Sequence, residues 1–129
     1  IIDAAIRARE QDVVWLDADA EVMQFPELFV GIEEDFAAHT HKGEQINGAT
    51  LFFKYNDNVL ELLRLWKSNN KEFPQDNDQQ NLQKAVIEMK LPYKELPFSY
   101  ARIFDYPSSE QAVILQHQAS RKGQFIYGP

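Results

Sequence analysis

The sequence predicts an α/β fold, a layer of sheet with helices packed against it. Three observations carry that prediction. A continuous apolar run, "VVWL" at residues 13–16, follows a stretch of helical spacing. Two amphipathic segments of helical period open the second half of the chain. A further short apolar run, "AVILQ", returns near the C-terminus.

The elements follow in order. "IIDAAIRAREQ" spaces Ile2, Ala5, Ile6 and Arg9 like an amphipathic helix. "DVVWL" reads as a strand covered on both faces, as in a largely parallel sheet. "FPELF" places Pro26 where the first turn of a short helix tolerates it. "DFAAHT" and "ATLFF" read as two more strands, with Gly43 and Gly48 among the turn residues between them. In "NDNVLELLRLWKSN" the stripe Val59, Leu62, Leu63, Trp66 predicts a helix capped by Asn56 or Asp57. A second helix begins near Asp76, after Pro74, and turns Leu82, Ala85, Val86 and Met89 inward. "LPYKELPFSYARIF" mixes short extended pieces with loop, and "AVILQH" is a last strand ending at His117. The tail "QASRKGQFIYGP" reads as loop.

Composition narrows the function. A formal net charge of -7 with no block of Lys and Arg argues against nucleic acid or an anionic membrane as main partner. With no cysteine, disulfides and thiolate metal sites are excluded, leaving carboxylates and three histidines as ligands. No apolar run approaches the ~20 residues of a transmembrane helix, and no signal segment is seen, which leans the compartment toward the cytoplasm. At 129 residues the chain is read as a single domain. It begins at Ile1 and runs at once into a helix, so a piece of a longer protein is expected.

Chemistry concentrates at three places. Asp17 and Asp19 follow the first strand, and ligands bind outside the carboxyl ends of strands in open α/β sheets. Two carboxylates this close repel, and a hard divalent cation would relieve them; an Asx turn or helix cap is the plainer alternative. Asp78 and Gln79 fall four and three residues before Leu82, toward the inner face of their helix. There they would meet a ligand, unless Asp76 or Asp78 is simply the N-cap. His117 ends an apolar strand ahead of Arg121 and Lys122; it is a metal ligand beside a diphosphate-neutralising pair, or a satisfied histidine before a solvated turn. His39 and His41 form an H-x-H in an expected loop and are left as surface or acceptor-side residues. Trp15, Trp66 and the phenylalanines are assigned to the core.

Together, "VVWLDADAEV", "INGATLFF", "DNDQQNL" and "VILQHQASRK" resemble the catalytic portion of GT-A nucleotide-diphospho-sugar glycosyltransferases of the D-x-D type. The resemblance runs over nearly the whole chain. It implies a GT-A-like, Rossmann-related mixed sheet flanked by helices, apparently lacking the family's N-terminal nucleotide-binding βαβ part. It further implies that Asp17, Asp19 and His117 hold Mn²⁺ or Mg²⁺ on the phosphates of a nucleotide-diphosphate sugar. Arg121 or Lys122 would face the leaving group, Asp78 and Gln79 would contact the sugar, and Asn47 and Gly48 would line its pocket. The Asp-Gln pair resembles retaining members, although Asp78 could serve an inverting enzyme as base. The acceptor, whether glycan, lipid, protein or small molecule, is open. Two rivals stand beside this reading: a haloacid-dehalogenase-like phosphatase with Asp17 as nucleophile, and an inactive scaffold of the same fold.

Overall fold

Where the two central strands run apolar, alternate side chains serve different cores. The computed structural model describes residues 1–41, 45–104 and 111–117. Its main sheet joins β1 (Val13–Leu16), β3 (Phe36–His41), β4 (Gln45–Phe53) and β5 (Lys94–Glu95) in the order β1-β4-β3-β5. Phe36, Ala38, Leu51 and Phe53 point to one face, where helices α1 (Ile2–Arg9), α2 (Asp57–Glu72) and α3 (Asp78–Met89) supply Ile6, Val59, Leu62, Leu63, Leu82 and Ala85. Ala37 and Phe52 point to the other, against Ile32, Leu96, Tyr100 and Ile114. The period-2 geometry of a strand requires this division once both faces are covered.

The second face is closed by a smaller sheet of β2 (Ala20–Val22), β6 (Arg102–Ile103) and β7 (Ile114–Gln116), ordered β2-β7-β6. Both sheets are mixed. β1–β4, β3–β4 and β2–β7 are antiparallel, whereas β3–β5 and β6–β7 are parallel. The predicted α/β class, a mixed sheet flanked by helices, is observed, with this second sheet added to it.

Several local expectations need correction. β1 is an edge strand in an antiparallel pair, so Val14 stays 39% exposed instead of being covered on both faces. Gly48 is no turn residue; it lies within β4. His39 and His41 belong to β3, and the His39 side chain is 17% exposed, with Nδ1 donating to the Leu96 carbonyl at 2.9 Å. A carbonyl and the Phe98 ring at 5.5 Å occupy that imidazole, so it is no surface residue. Pro26 precedes a 3-10 turn, Glu27–Phe29.

The helix ends follow from their capping residues. The Asn56 side chain accepts the Val59 amide and starts α2. Asn77, neither Asp76 nor Asp78, starts α3, through a capping box in which Asn77 and Gln80 bond each other's backbone amides. Asp76 instead pairs with Lys84. Among the described residues, no helix is long and apolar enough to cross a membrane.

Candidate functional site

The D-A-D segment is the hinge between the two sheets. β1 ends at Leu16, the Ala20 amide donates back to the Asp17 carbonyl at 2.9 Å, and β2 begins in the other sheet. The plain turn foreseen for these acids is therefore present. It leaves both carboxylates beyond the strand end. The Asp17 amide donates to the Ala49 carbonyl at 3.1 Å, tying the turn to β4. The Asp17 carboxylate accepts the Trp15 indole N–H at 3.1 Å and faces a cleft.

β4 brings the next group of residues. Its pairing with β3 jumps from Ala38↔Leu51 to His39↔Asn47, so Gly48, Ala49 and Thr50 fall outside that ladder. Such an irregularity frees backbone groups and re-aims a strand. Helix α3 takes up two β4 amides, one inside the irregularity and one beside it: Gln79 Oε1 accepts the Gly48 N–H at 2.7 Å and Gln83 Oε1 accepts that of Ile46 at 3.0 Å. Two glutamines four residues apart share one helix face, which is why both reach the same strand. Asn47 Oδ1 accepts the Ala49 amide at 2.9 Å. The inward placement read for Gln79 thus holds. Asp78 is exposed at the first position of α3, its carbonyl receiving the Trp66 indole N–H at 2.9 Å.

Asp17, Asn47, Gly48, Asp78 and Gln79 all line one cleft of about 1030 Å³. Trp15, Trp66, Lys67 and Asn70 complete its wall toward α1 and α2. The two tryptophans, read as core from sequence, do pack on the helical core, yet each sends its indole N–H to a site residue. A buried indole needs an acceptor, and that requirement was the available signal. Lys67 reaches Asp3 at 3.3 Å, so this cation of the cleft wall is already paired.

Burial raises the Asp17 carboxyl above its usual pKa, the Trp15 hydrogen bond opposes the shift, and the Asp19 charge adds to it. His117 and Asp19 flank Gln116 and Ala20, the last paired positions at that end of the β2–β7 ladder, with Asp19 in the turn and outside the pairing. Its Nε2 lies 3.1 Å from Glu21 Oε1, its ring stacks on Phe104 at 6.3 Å, and its Nδ1 is buried without a partner. Among the described residues, no three His, Asp or Glu side chains form a ready metal cluster. Arg121 and Lys122 lie outside the described residues.

The residue types suit a hard divalent ion: two carboxylates one residue apart, whose repulsion a cation would relieve, and an imidazole whose Nδ1 is buried without a partner. Compared with known families, residues 8–119 match nucleotide-diphospho-sugar transferases. No curated protein and no solved structure matches the chain.

Proposed function

The chain belongs to the nucleotide-diphospho-sugar transferase family, and from that premise we propose that it is a metal-dependent glycosyltransferase of the GT-A, D-x-D type. In this reading it moves a sugar from a nucleotide-diphosphate donor to an acceptor hydroxyl. The observation that carries the reading is the convergence of Asp17, Asn47, Gly48, Asp78 and Gln79 from three separate elements on one cleft.

Asp17 and Asp19 would hold Mn²⁺ or Mg²⁺, with His117 as third ligand. A bound divalent ion supplies neutralisation of the charge that develops on the diphosphate leaving group. Arg121 and Lys122 would add positive charge on the same side. Gln79 spends its carbonyl oxygen on the Gly48 amide, which leaves its NH₂ to donate to a sugar hydroxyl. Asp78, exposed on the cleft wall, can accept from another hydroxyl of the sugar or from the attacking acceptor. Gly48 adds no side chain of its own to the cleft wall beside Gln79, which leaves room there for the sugar. The phosphatase alternative has no corresponding support, because the family match lies with sugar transferases.

The test is a thermal melt with Mn²⁺ and a nucleoside diphosphate or its sugar conjugate. The wild-type chain should melt higher with both present than in EDTA, and Asp19→Ala should abolish the increment. Absence of any increment across UDP- and GDP-sugars would refute the reading. An increment without sugar transfer to any acceptor would leave a binding module.

A further inference from the structure

Gln116 is 1% exposed, and its position in the fold is unusual for a polar side chain. It lies in β7 of the small sheet but directs its amide into the large one. Nε2 donates to the Ala49 carbonyl at 3.2 Å and to Thr50 Oγ1 at 2.7 Å. Thr50 Oγ1 in turn donates to the Tyr100 carbonyl at 2.8 Å. The Ala49 carbonyl is the group that also receives the Asp17 amide. A single side chain therefore connects three pieces of the candidate site. It touches β4 just after Asn47 and Gly48, shares an acceptor with the turn that presents Asp17, and precedes His117 in its own strand.

The same side chain carries a cost. Gln116 Oε1 is buried without a hydrogen-bond partner, and an unmet buried acceptor is destabilising. Methionine or leucine of similar volume would fill the space without that penalty. Neither residue could hold Ala49 and Thr50 by paired N–H donors.

We infer that Gln116 is a positioning residue for the metal-binding turn: it locks the spacing between Asp17 on one sheet and His117 on the other. The inference rests on the proposed metal site. Nothing else among the described hydrogen bonds joins the end of β7 to β4, whereas β2 and β7 are already tied by their own ladder. Without the bridge, the β2–β7 pair is tied to β1 and β4 by the Asp17–Ala20 turn and by the packing of Ile114 and Ala20, which leaves the distance between Asp17 and His117 less tightly fixed. Groups that orient metal ligands act in this way in general, and their loss typically weakens metal binding about 10–100-fold.

The experiment measures Mn²⁺ affinity of the full chain by calorimetry, without nucleotide, alongside the melting temperature in EDTA. Gln116→Met should weaken Mn²⁺ binding about tenfold or more while the melting temperature in EDTA stays the same or rises, since the orphan acceptor is gone. A purely structural glutamine would behave in the opposite way, with a lower melting temperature and unchanged affinity. Thr50→Val, which removes one acceptor of the bridge, should weaken Mn²⁺ binding, and Thr50→Ser, which restores the hydroxyl, should recover it. Wild-type binding of Mn²⁺ with equal affinity in Gln116→Met overturns this inference and leaves the metal site standing. Failure of the wild type to bind Mn²⁺ overturns the metal site, and this inference with it.

Discussion

Replacing Gly48 by alanine separates folding from function at the centre of the cleft. A Cβ at this position would stand 3.4 Å from Gln79 Oε1 and 3.7 and 3.8 Å from Gln79 Cβ and Cγ. These are ordinary van der Waals separations, and the nearest atom ends a flexible side chain. Gly48 has no left-handed backbone to preserve, since Gly31 alone among the described glycines has positive φ. Glycine inside a strand costs roughly 0.5–1 kcal/mol relative to alanine through unfolded-chain entropy. Gly48→Ala is therefore expected to stabilise the chain by about that amount, a rise of roughly 2–5 °C in melting temperature. The new methyl meanwhile occupies the wall between Asn47 and Gln79 where the donor sugar is proposed to rest. Crowding of a filled site costs about 1–3 kcal/mol, so Kd for a nucleotide sugar should rise by about 5- to 150-fold. Melting curves and a donor titration on the same preparation decide the matter. A stability loss above about 1 kcal/mol would refute the Gly48–Gln79 packing. A more stable variant with unchanged donor affinity would refute the cleft as the donor site.

Three further outcomes follow from other parts of the molecule. The Asp17 carboxyl titrates above its unfolded value, so its penalty is absent in acid, grows as pH rises from roughly 4 to the folded pKa, and persists at neutrality. Asp17→Asn should thus raise stability at pH 7 but not at pH 3, as read from urea melts in EDTA at both pH values; a pH-independent effect would contradict the burial argument. Asn77→Ala removes the capping box of α3 and should cost about 1 kcal/mol in urea unfolding, whereas Asp78→Ala should leave the cap intact. Leu82→Ala, at a fully buried site between α3 and the main sheet, should cost about 2–5 kcal/mol; a smaller loss would mean that the helix is not packed as described.

Regular segments were legible in the sequence because their signals are local. The stripe Val59, Leu62, Leu63, Trp66 needs nothing beyond a 3.6-residue period to declare α2, and Asn56 declares its start. The run "VVWL" declares a strand whichever sheet receives it. Partners are not local, and there the reading departed from the structure. Nothing in "VVWL" says that β4 will lie antiparallel to it on one side and leave the other side open. Gly48 resembles a turn residue until Gln79, thirty-one positions away, accepts its amide and makes a strand position of it. His39 sits in an apparent loop until Leu96 and Phe98 close over its ring.

The candidate site divides along the same line. The sequence by itself determined which groups could act: two acids a residue apart after an apolar strand, an Asp-Gln pair entering a helix, and a histidine ending the last strand. These are chemical identities, and each is set by a few adjacent residues. Tertiary structure alone decided which of them meet. It placed Asp17, Gly48, Asp78 and Gln79 on one cleft, turned Trp15 and Trp66 from filling into lining, and brought Gln116 across from the second sheet. Such meetings depend on strand register and on the bulge that frees three residues of β4. Register is chosen by the summed burial of both sheet faces, a quantity that no short stretch of sequence contains.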